Sequence, residues 1–304
     1  MTLRSTHLFA RRFPVVLACC IAAGLPVAQA ASEDGTVLRP VIAETAIPVQ
    51  RIAPVAADGV EGEAYLRKPP GDGPFPAVVL IHGGAPRWAS EMLQDYSVQT
   101  HASRFLEAGY VVVAMTRRDL DLELPHTEEQ PAVKDAVAVI DYVKALPYVD
   151  TDSVVVRGTS VGGYLTLEVA AARDVAAILV EEPFSFPFVG MAPGANGDQH
   201  PDSGKIAKLD EAILLIRGDQ TPNINDFNRD VFIPALQAAG KALEIITYPG
   251  ELHSFAFYDN AERTPHPAVS QQAFDDIDGF FRQYLSVQPK ALDSALVSHD
   301  VVAQ

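Results

Sequence analysis

The sequence predicts an α/β protein, a mostly parallel β-sheet covered by helices on both faces. Three observations predict it. Apolar β-branched runs alternate with helix-like runs along the chain, the order of strands joined by crossover helices. Most of those runs lack period-two alternation, as strands buried on both faces do. One strand, turn and helix meet at Gly158-Thr159-Ser160-Val161-Gly162, the G-x-S-x-G pattern of a nucleophile elbow.

Taken in order, Val49 to Val55 and Glu63 to Arg67 read as an antiparallel entry pair. Pro69 to Pro74 is a turn cluster. Pro76 to Ile81 is a buried strand that runs into His82-Gly83-Gly84. Glu91 to Glu107 is helix-like, and Tyr110 to Met115 is the next strand. Gln130 to Leu146 carries Val133, Val137, Ile140 and Val143 at helical spacing. Val154 to Val156 forms the strand before the elbow, and Tyr164 to Ala171 the helix after it. Val175 to Val180, Ala212 to Ile216 and Leu243 to Tyr248 are further strands. Phe227 to Ala239 and Pro267 to Leu285 are helices. Phe184 to Lys208 is the longest irregular stretch, a length that usually marks a lid or binding loop.

The ends read differently. Arg4, Arg11 and Arg12, the apolar run Phe13 to Val27 and the Ala28-Gln29-Ala30 motif have the form of a cleaved secretory signal over residues 1–30. The apolar run is short for a membrane span. Residues 31–47 read as a loose arm, 48–285 as one catalytic domain, and 286–304 as a tail without an apolar face, where disorder is expected. The expected location is therefore secreted or periplasmic. Both cysteines, Cys19 and Cys20, lie in the signal. A mature chain would hold no disulfide, no thiolate metal site and no cysteine nucleophile. Losing three arginines and no acids takes the net charge from −16 to −19. Such acidity argues against nucleic acid and anionic membranes as partners. No stable membrane span is expected in the mature chain.

The elbow points to Ser160 as a nucleophile. The turn needs glycine at 158 and 162 because side chains there would clash with the neighbouring strand and helix. A serine hydroxyl needs a general base. Of the histidines, His253 is the best placed, because it follows the last strand and precedes the final helix in Gly250-Glu251-Leu252-His253-Ser254-Phe255. His82 reads as a structural hydrogen-bonding residue. No metal-ligand spacing such as H-E-x-x-H occurs, so no metal site is expected. The N–H groups of Val161 and of Gly84 or Ala85 are candidates for an oxyanion hole. Trp88, Phe184, Phe186 and Phe188, with Met191, are candidates for the substrate pocket.

Strand-HGG, G-x-S-x-G-G and a late loop histidine, in that order, resemble the α/β-hydrolase fold. Within it the chain is most similar to the dienelactone hydrolase and prolyl oligopeptidase-like serine hydrolases, over about residues 50–285. The resemblance implies an eight-stranded, parallel-rich sheet, cofactor-free hydrolysis and a Ser…Asp…His order of the triad. The acid departs from that pattern. In such families Asp usually stands three residues beyond the glycine that ends its strand. In Gly218-Asp219-Gln220-Thr221-Pro222 that place belongs to Thr221. Asp219 is the first choice, with Asp226, Glu181 and Glu182 as alternatives, because some members take the acid after the preceding strand. The expected function is hydrolysis of a small-molecule carboxylic ester through an acyl-enzyme. The alternatives are a prolyl oligopeptidase-type peptidase and a non-catalytic binding protein on the same scaffold.

Overall fold

A computed structural model describes residues 47–84, 100–121, 129–185, 203–258 and 267–292. Its centre is an eight-stranded sheet: β1 (Gln50–Ile52), β2 (Ala64–Arg67), β3 (Phe75–Ile81), β4 (Val111–Met115), β5 (Val149–Thr159), β6 (Ala177–Glu181), β7 (Ala212–Gly218) and β8 (Leu243–Tyr248). The spatial order is β1-β2-β4-β3-β5-β6-β7-β8. Pairs β1–β2 and β2–β4 are antiparallel, and every later pair is parallel. The sequence expectation of an antiparallel entry pair and a parallel body therefore holds. The helices are α1 (Thr100–Ala108), α2 (Pro131–Lys144), α3 (Val161–Ala172), α4 (Ser203–Ala207), α5 (Pro222–Phe227), α6 (Ile233–Ala238), α7 (Phe255–Tyr258) and α8 (Pro267–Arg282), with a π-helical turn at Asn228–Phe232.

Two cores explain why the strands lack polar alternation. Val79, Ile81, Val113, Val154, Val156, Ile178, Val180, Ile213 and Leu215 face one core with α2, α3 and the Phe227–Leu236 stretch. Their neighbours Val78, Leu80, Val112, Val155, Leu179, Leu214 and Ile216 face the other, with α1 and α8. Successive side chains of a strand point to opposite faces, so with both faces covered every position must be apolar. Each fully buried Val, Leu or Ile contributes about 1.5–3 kcal/mol, which makes these runs the main source of stability.

Several boundaries differ from the sequence expectation, among them the following three. β5 begins at Val149 rather than Val154 and runs 11 residues. Asp150, Thr151 and Asp152 hide its start, because only the later part lies between two cores. The irregular stretch after Phe184 contains α4, while its residues 186–202 lie outside the described set. Residues 286–292 are not a disordered tail. Val287 N–H donates to Ser153 Oγ at 2.9 Å and Leu292 N–H to the Glu107 carbonyl at 2.7 Å. Backbone hydrogen bonds, invisible to a test for an apolar face, hold this segment. Residues 1–30, read as a signal from the sequence, nearly all of the expected arm, and residues 293–304 fall outside the described set.

The sheet register lines up one edge. Ile81 pairs with Gly158, Thr159 with Glu181, Glu181 with Ile216, and Gly218 with Tyr248. The segments after β3, β5, β6, β7 and β8 therefore all leave from the carboxyl edge, where ligands of open α/β sheets bind.

Candidate active site

The elbow is built by β5 and α3. Ser160 joins them at φ 53°, ψ −117°, a backbone conformation that side chains other than glycine avoid. Both flanking glycines are required by close approach. A Cβ at Gly158 would meet the Gly162 carbonyl oxygen at 2.2 Å, and one at Gly162 would meet the Ile81 oxygen at 2.1 Å. The turn is then laced to its neighbours. Ser160 N–H donates to the Glu181 carbonyl at 2.9 Å, and the Ser160 carbonyl accepts from Phe184 N–H at 2.8 Å and Tyr164 N–H at 3.2 Å. Val161 opens α3, and the first N–H groups of a helix have no partner within it.

The segment after β3 lies against the elbow. A Cβ at Gly83 would stand 3.0 Å from Ser160 Cβ. Arg117 braces this segment, donating from Nη2 to the Gly84 carbonyl at 2.9 Å. His82 is fully buried, and its Nδ1 donates to the Gly83 carbonyl at 2.9 Å. Burial, then the nearby Arg117 charge, lowers its pKa to about 3, so it is neutral at physiological pH. Ala85, Trp88, Phe186, Phe188 and Met191 lie outside the described residues. Phe184 is described, and it packs against the core beside α3.

His253 meets a carboxylate, and that carboxylate is Glu182. The imidazole Nδ1 donates to Glu182 Oε2 at 2.7 Å. The same oxygen accepts from Ser254 N–H at 2.9 Å, and Glu182 Oε1 accepts from Asn225 Nδ2 at 3.0 Å. The Glu182 side chain is wholly buried, whereas His253 keeps 27% of its side-chain surface exposed. The histidine loop is also fastened to the elbow itself, because the hydroxyls of Thr159 and Ser254 are 2.6 Å apart. These are the residues directly before Ser160 and directly after His253.

Asp219, the first choice from sequence, is elsewhere. Its Oδ1 accepts from Gln220 Nε2 at 2.6 Å and from Gly250 N–H at 2.8 Å. These bonds hold its pKa below the ordinary carboxylate value, and the group is exposed. The reason is the path of the chain beyond Gly218. A Cβ at Gly218 would meet the Glu251 carbonyl oxygen at 2.2 Å, and Gln220 N–H donates to that same oxygen at 3.1 Å. The two loops zip together there and send the Asp219 carboxylate outward. Asp226 lies on α5 and pairs with Arg229 at 2.7 Å, both side chains exposed. Glu181 is fully buried and accepts from Ala256 N–H at 2.8 Å rather than from His253. Of the four carboxylates considered, Glu182 alone bonds the imidazole.

Asn225, Thr159 and Ser254 were given no role by the sequence reading. The clearest sequence signal for Glu182 was the pair Glu181-Glu182 closing the apolar run Ala177 to Val180. Charged residues at the end of a doubly buried strand need a partner, and this strand neighbours the elbow strand. Among the described residues no cluster of His, Cys, Asp and Glu could hold a metal ion, and no helix is long and apolar enough to cross a membrane.

Comparison with known proteins agrees with this architecture. Esterase EstD of Thermotoga maritima is 27% identical over 137 residues, which are 44% of this chain and 32% of that protein. Dipeptidyl aminopeptidase BIII of Pseudoxanthomonas mexicana is 22% identical over 222 residues, or 62% of this chain and 32% of that protein. The chain thus spans about a third of the length of these curated relatives. The crystal structure of carboxyl esterase 2 from the fungus Tuber melanosporum superposes with a TM-score of 0.59 at 18% identity, covering 79% of this chain and 88% of that one. At that identity the likeness speaks for the α/β-hydrolase fold. The model of the dienelactone hydrolase family matches residues 63–285, most of the chain, and the chain belongs to that family.

Proposed function

We propose that this chain is a serine hydrolase that cleaves a carboxylic ester through an acyl-enzyme. One observation carries the reading: an imidazole oriented by a buried carboxylate, on a loop fastened to the residue before an elbow serine. Ser160 Oγ attacks the ester carbonyl while His253 Nε2 takes its proton. Glu182 holds the Nδ1–H tautomer and stabilises the imidazolium that forms. The N–H of Val161 and an N–H from the Gly84–Ala85 segment receive the oxyanion. Collapse of the tetrahedral adduct expels the alcohol, which takes the proton from His253. Water then enters with His253 as base again, and the carboxylic acid leaves.

The similarity to an esterase supports an ester substrate, and the similarity to a dipeptidyl aminopeptidase supports peptide cleavage as the second reading. A panel of p-nitrophenyl esters, feruloyl and acetylated-sugar esters, and peptide amides separates them. The mechanism is tested by Ser160→Ala. We expect a folded protein that has lost at least about a thousandfold in kcat and no longer reacts with a fluorophosphonate probe. Near-normal turnover, or a wild-type protein inert to the probe, would overturn the serine mechanism.

We also propose export with cleavage after Ala30, motivated by the Ala28-Gln29-Ala30 motif. N-terminal sequencing of protein recovered outside the cytoplasm should begin at Ala31. A lipidated Cys19 terminus, or a chain that keeps residues 1–30, contradicts it.

A further inference from the structure

Beneath the site lies a second buried charge pair that the mechanism above does not use. Arg157 is in β5, three residues before Ser160, and Glu181 directly precedes Glu182. Both side chains are fully buried, and they form an ion pair at 3.8 Å. They hold the backbone of one residue, Ala256, at its N–H and at its carbonyl. Glu181 Oε1 accepts the Ala256 N–H at 2.8 Å, and Arg157 Nη2 donates to the Ala256 carbonyl at 2.5 Å. Arg157 Nη1 is held in turn by His101 Nδ1 at 2.8 Å, and His101 Nε2 by Ser270 Oγ at 3.1 Å. Burial and the Arg157 charge push the His101 pKa well down, so that ring is a neutral acceptor at Nδ1.

Ala256 is three residues beyond His253 and sits in the first turn of α7. Its N–H therefore has no partner within the helix, and Glu181 supplies one. Two consecutive glutamates thus grip two consecutive points of one loop. Glu182 takes His253 and Ser254, and Glu181 takes Ala256. The loop needs such an anchor, because Ser254 between them is held at φ 61°, a conformation that relaxes unless its surroundings fix it.

We infer that Glu181 and Arg157 form a positioning clamp, which fixes the imidazole of His253 through the backbone N–H and carbonyl of Ala256. The inference rests on the serine-hydrolase reading, since it assigns the clamp to His253 as the base. Glu181 touches no reacting atom and is a positioning residue, not a catalytic one. A buried pair of this kind is also compatible with a purely structural role, so the test must separate the two.

Two variants do so. Glu181→Asp keeps the charge opposite Arg157 but withdraws the carboxylate by one methylene from Ala256 N–H. Glu181→Gln keeps the length and removes the charge. The expected result, with a p-nitrophenyl ester, is a fall in kcat of about tenfold or more in Glu181→Asp, with KM within about twofold. Introduced into His253→Ala, the same change should leave the residual rate unaltered, because residues acting as one unit are non-additive. The clamp is overturned if both folded variants keep kcat within twofold. It is equally overturned if the loss is the same with and without His253. Amide hydrogen exchange on the unaltered protein decides the matter if neither variant folds. Ala256 should exchange at least about a hundredfold more slowly than an unstructured chain, and exchange at the free-chain rate would refute the clamp. Failure of the hydrolase reading is distinguishable, because it appears as an active Ser160→Ala while the exchange result stands by itself.

Discussion

The loops after β6 and β7 leave the same edge of the sheet, and each begins with an acid, yet only one of them meets the imidazole. Glu182 is buried, sits at φ 42°, and accepts three hydrogen bonds, from His253, Ser254 and Asn225. Asp219 lies in solvent and accepts from Gln220 and Gly250. The left-handed backbone at Glu182 costs on the order of 1–3 kcal/mol. Hydrogen bonds to a charged group contribute about 1.5–3 kcal/mol each, so three of them offset that cost. Among the described residues the non-glycine positions with positive φ are Ser160, Glu182 and Ser254. All three are at the site, and the strain is where side chains must be aimed rather than where the chain merely turns. The β7 loop contributes differently: Asn225 donates to Glu182 Oε1 and to the Gly218 carbonyl. It supplies a brace for the buried Glu182 carboxylate instead of a partner for the imidazole.

The sharpest way to break this comparison is Glu182→Gln. An amide has one acceptor oxygen, whereas Glu182 accepts on both of its oxygens. In either orientation its NH2 faces a donor, Asn225 Nδ2 on one side or the His253 and Ser254 N–H groups on the other. The neutral side chain also loses its attraction for the imidazolium. We expect kcat to fall by about a thousandfold or more, with KM changed by no more than a few-fold. Steady-state kinetics on a p-nitrophenyl ester measures this. A loss below about tenfold would mean that the buried carboxylate is not the acid of the triad.

A second, smaller effect concerns Glu181, whose pKa burial raises from the ordinary 4.5 to about 7 against the opposing pull of Arg157. Between those values the folded protein binds a proton that the unfolded chain has released. Stability from this group therefore falls as pH rises from about 4.5 to 7, and the loss is complete above 7. At about 1.4 kcal/mol per pH unit the change amounts to about 3 kcal/mol. Glu181→Gln cannot titrate. Measured by denaturant unfolding, the stability of that variant relative to wild type should rise by about that amount across the window, whatever its offset. A difference that stays flat with pH would show that Glu181 is charged throughout.

Most of the fold was legible because it rests on local signals. The doubly buried strands announce themselves as unbroken apolar runs, as Val111–Met115 does in β4, buried at all five positions. The elbow was legible for the same reason. Its strand, glycines and helix are contiguous, and the steric demands at Gly158 and Gly162 are written into five residues. The acid was not legible to the same degree. Which carboxylate reaches His253 depends on how two loops, at 182 and 253, are turned at φ 42° and φ 61°. Neither turn is marked by glycine. The glycine that is present, Gly218, makes room for the Glu251 carbonyl rather than preparing a catalytic aspartate. Arg157 was hidden in another way. Within Val154-Val155-Val156-Arg157 it reads as the polar end of a strand, and only the fold reveals that it is fully buried.

The smallest expected effect sharpens the comparison from the β7 side. Asp219→Asn keeps an oxygen where Gly250 N–H needs an acceptor, so the loop before His253 should hold its course. We expect kcat/KM within about threefold of wild type, under about 0.7 kcal/mol of barrier. Asp226→Asn should behave alike, since its pair with Arg229 is exposed on both sides and such surface pairs contribute little. Asp219→Ala is the informative contrast. It removes the acceptor, leaves Gly250 N–H to solvent and loosens the turn two residues ahead of Leu252. Its loss of activity should exceed that of Asp219→Asn, and its KM and kcat should move together as the loop wanders. The pH dependence has the opposite sign to that of Glu181. The Asp219 pKa is lowered, so its stabilisation is present above the ordinary aspartate value of 3.8 and is lost only as pH falls below it. At the pH of an esterase assay the charge is constant and should not appear in the rate profile. If Asp219→Asn instead lowers kcat by tenfold or more while Asp219→Ala does no worse, its charge rather than its tether to Gly250 matters. The β7 loop would then share the work that the geometry gives to β6.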